Sequence, residues 1–374
     1  LQPHDNDYSV ETLDWQGGSL AYHQNFRKPT QGFDANHILL QQLHLGIDSF
    51  AYMPSQLQMH IRACNFLEHS GLRVTGLTGA FRMDSTSLSL PQFHLTMPGS
   101  DLSGRYEMAL NAFADSCPGQ ISTRLSGYTC VADLQPFLSA VPTNLRRKLP
   151  SDRLNLALAF DGNMQQASIR QLQLSLPGKL SLSANGRVAS LLQPDRLSAN
   201  LHIKAKAHNL AFVQPFLPLS VRKTVHLPRN IGLSGNITAN GPHYAADLVA
   251  TEGGGTLYVK AHFNRQSMAY TLTAKAKQLH LEHFLPRQGL HPFTGTVATS
   301  GQGTDILSPK TGIRFKANID RFQYQSYALD HIRGEVSLRQ GHIDAHLLSN
   351  NRMIGGNIRV SGRISNRLVD VVVN

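Results

Sequence analysis

The chain has 374 residues, enough for two or three globular domains at about 150 residues each. Its 35 Lys plus Arg outnumber its 24 Asp plus Glu, giving a net charge of +11, yet charged residues are only 16% of the total, against roughly 25% in an ordinary globular protein. A hydrophobic share of 41% excludes wholesale disorder and three cysteines exclude a dense disulfide scaffold; apolar runs such as Leu156–Phe160 stop at about five residues, far short of the roughly 20 that a membrane-spanning helix needs.

The chain opens on Leu1 without a basic n-region and apolar stretch, and closes on Val371-Val372-Val373-Asn374, which reads as a strand in mid-course. The expectation is a fragment of a longer chain, with any export signal or anchor outside it. Cys64, Cys117 and Cys130 have neither CxxC nor ligand spacing; Cys117 and Cys130 are candidates for a loop-closing bridge in an oxidising compartment.

From Asp34 onward the dominant signal is alternation with a period of two. It runs through Leu57-x-Met59-x-Ile61, Phe93-x-Leu95-x-Met97, Leu154-x-Leu156-x-Leu158-x-Phe160 and Leu172-x-Leu174-x-Leu176. After a Pro177-Gly178 turn it continues in Leu180-x-Leu182-x-Ala184, Leu201-x-Ile203-x-Ala205-x-Ala207, Tyr270-x-Leu272-x-Ala274 and Ile313-x-Phe315-x-Ala317-x-Ile319. Successive strand side chains point to opposite faces, so each run makes one apolar and one polar face, as in an antiparallel sheet wetted on one side. Pro98-Gly99-Ser100, Asn185-Gly186, Asn240-Gly241 and Ser361-Gly362 are expected as turns. Helical signal is confined to two short turns within Val131–Leu149, where prolines forbid one long helix.

An internal repeat overlies this pattern. Ala205-Lys206-Ala207-x-x-Leu210 recurs as Ala274-Lys275-Ala276-x-x-Leu279, Phe216-Leu217-Pro218 recurs as Phe284-Leu285-Pro286, and Gln135-Pro136-Phe137-Leu138 resembles Gln214-Pro215-Phe216-Leu217. After each corner a strand is expected to end in a small-residue turn, at Gly162, Gly235 and Gly295. The unit is roughly 70–80 residues of several strands plus a corner. The division expected is 1–131, 132–218, 219–286 and 287–374, the last segment continuing beyond the fragment.

Catalytic and cofactor signatures are missing. There is no HExxH, GxSxG, GxGxxG or GxxxxGK[ST]. His280-x-Glu282-His283 is the tightest of the groupings among 18 histidines. Read as a strand, it puts His280 and Glu282 on one face and His283 on the other, so no metal is expected there. His342 and His346 share a strand face but lie roughly 13 Å apart, too far for one zinc. The basic residues are spread along strands and corners rather than clustered, which argues against nucleic acid and leaves a solvated basic surface, with anionic lipid headgroups as the alternative partner for the charge. No enzyme activity and no cofactor are expected.

Several stretches resemble one family. They are Phe33-Asp34-Ala35-Asn36-His37-Ile38-Leu39-Leu40, Ser70-Gly71-Leu72-Arg73-Val74, Leu77-Thr78-Gly79-Ala80-Phe81-Arg82-Met83-Asp84 and Ser100-Asp101-Leu102-Ser103-Gly104. The FLP corners, Leu227-Pro228-x-x-Ile231-x-Leu233-Ser234-Gly235 and Gly301-x-Gly303-x-Asp305-x-x-Ser308-Pro309 add to them. In this order they look like the TamB branch of the AsmA-like proteins, in the version found in Bacteroides-type bacteria, from about Gln31 to the end. The resemblance implies a periplasmic, inner-membrane-anchored protein whose sheet folds into an open groove. It implies phospholipid movement between inner and outer membranes, and a partner of the BamA/TamA outer-membrane β-barrel type. An older reading of the family is assistance in assembling outer-membrane proteins. The family supplies no catalytic residues to carry over.

The fold expected is therefore all-β: an elongated, curved antiparallel or mixed sheet forming an open hydrophobic groove, with a few short helical corners. Its groove is expected to be lined by Leu154, Leu156, Leu158, Leu172, Leu174, Leu176, Leu180, Leu182, Leu201 and Ile203. Exposing about 30 acyl methylenes to water costs near 24 kcal/mol at about 0.8 kcal/mol each, so an apolar trough would remove most of a lipid's transfer barrier without chemistry. The alternatives are a scaffold that offers strand edges to folding outer-membrane proteins and a closed adhesin or carbohydrate-binding β-solenoid, against which a 7% aromatic content counts.

Overall fold

A computed structural model describes residues 8–24, 26, 28–34, 36–112, 114, 117–139, 141–163, 165–190, 195–217, 222, 225–303, 311–353, 355–364 and 369–373. Of the sequence features above, Leu1, Ala35, Pro218, Asp305, Ser308, Pro309 and Asn374 lie outside the described residues. The chain divides between Arg187 and Val188 into two compact units.

The first unit contains β1 (Tyr8–His23), β2 (His37–Met53), β3 (Gln56–Glu68), β4 (Arg73–Val74), β5 (Gly76–Asp84), β6 (Ser87–Met97), β7 (Ser100–Ala109), β8 (Ile121–Thr129), β9 (Leu154–Gly162) and β10 (Gln166–Leu176). Each pairs antiparallel with the next, except that β5 joins β3 directly and the two-residue β4 adds to the end of β3. A helical turn at Val131–Leu134 runs on into a 3-10 turn at Gln135–Leu138, and a second turn covers Thr143–Arg146. Strand β11 (Leu180–Ala189) crosses the division between the units.

The second unit contains β12 (Ser198–Ala207), β13 (Ile231–Asn240), β14 (His243–Glu252), β15 (Gly255–Asn264), β16 (Ala269–His280), β17 (Pro292–Gln302) and β18 (Gly312–Arg321). A small hairpin, β19 (Gln323–Tyr324) with β20 (Tyr327–Ala328), precedes β21 (Ile332–Arg339), β22 (His342–Asn350), β23 (Gly355–Ile364) and β24 (Val369–Val373). The main strands again pair antiparallel in chain order, with β21 following β18. Helical turns lie at Ala211–Phe216 and Leu281–Phe284. The protein is all-β and antiparallel, with few short helices, and its sheet does not close into a barrel.

Side-chain burial follows the period of two that the sequence carries. In β12 exposed and half-buried positions alternate from Ser198 until Ala207, which is buried. The repeated Ala-Lys-Ala motif falls at the end of β12 and near the end of β16: Ala207 and Ala276 are buried, while Lys206 and Lys275 are exposed. In both copies a helical turn follows within a few residues, so the motif marks where a strand gives way to a corner.

Turns form where the sequence places them at Pro98-Gly99, Pro177-Gly178 and after Asn240. Asn185-Gly186, Gly235, Gly295 and Ser361-Gly362 are different, for all lie inside strands. The reason is clearest at Gly235, whose φ of 146° belongs to a region essentially reserved for glycine. A Cβ there would stand 2.1 Å from the backbone oxygen of Asp247 on the neighbouring strand. Gly127 in β8 repeats this with φ 143° and 2.0 Å to the oxygen of Asp101. These glycines allow close approach of a neighbouring strand rather than a reversal of the chain.

The fully buried core is small. Leu43, Ile61 and Cys64 form its one buried cluster among the described residues, with Leu45, Met59, Phe66, Leu77 and Phe81 packed around it. Cys64, Cys117 and Cys130 are all unpaired thiols, so no bridge links the last two. Burial pushes the Cys64 thiol up from its ordinary pKa.

Candidate functional site

The continuous feature of each unit is one apolar face of its sheet. In the first unit, register pairs carry Ile47 to Ile61, Gly79, Phe93, Gly104, Leu125, Leu158 and Leu172 across successive strands. A parallel row runs Leu77, Leu95, Leu102, Gly127, Leu156 and Leu174. In the second unit a row runs Ile203, Gly235, Leu248, Val259, Ala274, Val297, Ala317, Gly334, Leu347 and Ile358, through ten strands. At about 4.8 Å per strand that row spans about 43 Å. Beside it, Leu201, Ile237, Ala246, Ala261 and Leu272 make a second row.

These faces stay partly open to solvent. Ile203, Leu248, Val259 and Val297 are half-buried, while Leu347 is 36% and Ile358 40% exposed. A covering second sheet would bury such residues outright. The whole chain exposes 23883 Å², whereas even two independent compact proteins of half its mass would expose about 18,000 Å² in all. The opposite face of the second unit carries cross-strand polar pairs: His202 with Asn236 at 3.0 Å, Lys260 with Asp247 at 3.3 Å and Lys316 with Glu335 at 3.2 Å.

Of the ten residues expected to line a groove, six are brought together. Leu156 stands opposite Leu174 and Leu158 opposite Leu172, and Leu154 and Leu176 continue that face one step further along β9 and β10. Leu176 is buried and the other five are half-buried. Leu180 and Leu182 are half-buried in β11. Leu201 and Ile203 belong to the second unit, where they head its two rows beside Ile237 and Gly235. Sequence reasoning passed over Leu248 and Val259, because β14 and β15 interleave alanine with polar residues and make weaker alternating runs. It also passed over β1, whose Leu13 and Trp15 are 42% exposed.

Helical corners border the strand ends. After β8, Asp133 accepts hydrogen bonds from the Gly99 N–H at 2.9 Å and from the Ser100 hydroxyl, fastening the corner to the β6–β7 turn. The Phe33 N–H donates to the Pro136 carbonyl at 2.9 Å, and the rings of Phe33 and Phe137 meet at 5.1 Å. After β16, His283 Nδ1 lies 2.6 Å from Oε1 of Glu252, the last residue of β14, and His280 Nδ1 lies 2.8 Å from Glu282 Oε1.

That second corner overturns the expectation that His283 points away from His280 and Glu282. The strand ends at His280, and Leu281–Phe284 turns helical. Helical winding swings His283 back, so that ligand-type atoms of His280, Glu282 and His283 all fall within 4.8 Å of one another. The two imidazoles stack, with centroids 5.0 Å apart and planes 13° from parallel. Burial alone would raise the Glu282 pKa, but its hydrogen bonds from His280 and the backbone and the nearby His280 and His283 charges hold it below the ordinary value.

No protein-family model, curated protein or solved structure matches the chain. Among the described residues no helix is long and apolar enough to cross a membrane.

Proposed function

We propose that this chain is a non-enzymatic conduit for phospholipid, moving acyl chains along the apolar face of its sheet. The observation that carries this reading is the row from Ile203 to Ile358, continuous in register through ten strands and only half-buried. An acyl chain sliding over such a row stays out of water at each step, which offsets the roughly 0.8 kcal/mol per methylene that transit through water costs. The resemblance to the TamB branch of the AsmA-like proteins supports a periplasmic setting between two membranes. It also supports an inner-membrane anchor beyond this sequence and an outer-membrane β-barrel of the BamA/TamA type as receiver. The basic balance of the chain suits anionic headgroups travelling beside the stripe.

A second reading, assistance in assembling outer-membrane β-barrel proteins, is favoured by β1. This strand of 16 residues pairs with β2 on one side, has no partner on the other among the described residues, and is exposed along nearly its whole length. Such an edge suits addition of a further strand.

Purification without detergent, organic extraction and mass spectrometry test the first reading. Phospholipid is expected at or near one molecule per chain, and a photocrosslinker at position 174 is expected to capture it. Leu174→Glu should keep the fold, because the carboxylate reaches water at a half-buried site, yet abolish lipid capture. A Leu174→Glu chain that unfolds, together with crosslinks to protein alone and no phospholipid in the extract, would give the position to a closed core and remove the conduit.

A further inference from the structure

We infer that the corner after β16 is a binding site for one divalent transition-metal ion of the zinc type, held by His280, Glu282 and His283 with Glu252 behind them. Among the described residues this is the one grouping of three or more His, Cys, Asp or Glu side chains with ligand atoms within 4.8 Å of one another. Two imidazoles and a carboxylate suit zinc, whose nitrogen and oxygen ligands sit at about 2.0–2.2 Å. Coordination would draw these atoms in from their present spread of up to 4.8 Å.

The independent pointer is Glu252. Its side chain is only 6% exposed, yet its Oε2 atom is buried without a hydrogen-bond partner, and Oε2 of Glu282 is in the same condition. Two buried, unsatisfied carboxylate oxygens beside two imidazoles are costly without a counter-charge. A divalent cation supplies it. Glu252 already holds His283 through Nδ1, the carboxylate–histidine arrangement that orients a ring so that its other nitrogen faces a metal.

The β14–β15 turn lies within contact distance of this arrangement. Gly253, at φ 54°, begins the β14–β15 turn directly beneath the two rings. A Cβ there would lie 3.4 Å from His283 Cε1 and 3.5 Å from His280 Cδ2. An ion bound above that turn ties the helical corner to the hairpin beneath it, and its role is a clasp rather than chemistry.

The test uses the full chain without a polyhistidine tag, stripped with chelator and titrated with ZnCl2 by calorimetry. One high-affinity Zn2+ per chain is expected, unaffected by excess Mg2+. Saturation should raise the melting temperature by about 5 °C, and Co2+ in place of Zn2+ should give visible d–d absorption of a low-coordinate site. Glu282→Gln and His280→Asn should each weaken Zn2+ binding at least about 30-fold, and Glu252→Gln about 10-fold. His346→Asn, on an exposed strand position, should change nothing. Comparison of circular dichroism and melting in chelator separates loss of a ligand from loss of the fold, and Glu282→Gln conserves shape if His280→Asn does not fold. Zinc affinity unchanged by both substitutions, or no binding at tens of micromolar Zn2+, would overturn the site and leave the cluster as two histidine–carboxylate hydrogen bonds.

Discussion

Both units fasten a helical turn onto the hairpin two strands back, but with different chemistry. In the first, the carboxylate of Asp133 reaches the β6–β7 turn and takes two donors there, the Gly99 N–H and the Ser100 hydroxyl. In the second, the imidazole of His283 meets the carboxylate of Glu252 at the β14–β15 turn. The units differ equally in their apolar faces. The first unit folds part of its face into a buried cluster around Leu43, Ile61 and Cys64, and also buries Ile47, Val74, Met97 and Leu102. The second buries mainly small residues near strand ends, Ala207, Ala239 and Ala276, with Val188 and Leu338. One architecture thus supports a partly closed apolar face and a more open one. The side chains at the stripe decide which: leucine, isoleucine and phenylalanine meet across the first, valine and alanine across much of the second.

The largest expected effect follows from that difference. Leu43→Ala removes a 4% exposed side chain from a packed cluster and should cost about 3 kcal/mol, transfer and cavity together. Val259→Ala, on the half-buried row of the second unit, should cost under about 1 kcal/mol. Urea unfolding of the two variants measures the gap. Equal losses would mean that Val259 is packed as tightly as Leu43 and that the second unit is no more open than the first.

Next in size are the strand glycines, where the two units should behave alike. Gly127→Ala and Gly235→Ala each force a Cβ onto a backbone oxygen of the adjacent strand and hold alanine at a φ near 145°. The cost should be about 2–3 kcal/mol in either unit. Gly254→Ala, at a turn with open space around it, should cost less, through its positive φ alone. If all three substitutions prove equal, the close approach of strands at Gly127 and Gly235 is not what the glycines serve.

Those same glycines mark the limit of what could be read beforehand. Alternation located β3, β6, β9, β10, β11, β12, β16 and β18, since a two-residue period survives any tertiary context that wets one face. It also placed Leu156 with Leu174 and Leu158 with Leu172 on one face. Asn185-Gly186 reads as a turn because the dipeptide is a strong hairpin signal, but that signal does not distinguish glycine needed for reversal from glycine needed inside a strand. A strand period sets His283 on the face opposite His280 and Glu282, but that period ends one residue into the motif. No local signal gave the partner Glu252, because it comes from another strand and is brought near by hairpin register.

The smallest effect concerns a turn that both units build in the same way with different residues. At the β5–β6 turn, Asp84 Oδ1 accepts from the Thr86 N–H and the Ser87 N–H, each at 2.7 Å. At the β15–β16 turn, Asn264 Oδ1 accepts from the Gln266 N–H and the Ser267 N–H, each at 2.9 Å. The geometry is shared, but only the aspartate titrates. Hydrogen bonds from the Thr86 side chain and backbone and from Ser87 lower the Asp84 pKa from 3.8 to about 2. A carboxylate whose folded pKa is depressed adds stability that is present above its unfolded pKa and lost as pH falls through the folded one. The Asp84 turn should therefore weaken between about pH 4 and about pH 2, while the Asn264 turn should not respond through its side chain. Full solvent exposure keeps the effect small, so it is best read locally, by amide exchange at Thr86 and Ser87 against Gln266 and Ser267 across that window. Asp84→Asn should make the first turn as indifferent to acid as the second. Protection at Thr86 that still falls between pH 4 and 2 in Asp84→Asn would assign the loss to another group and leave the two turns unlike for a reason outside their capping side chains.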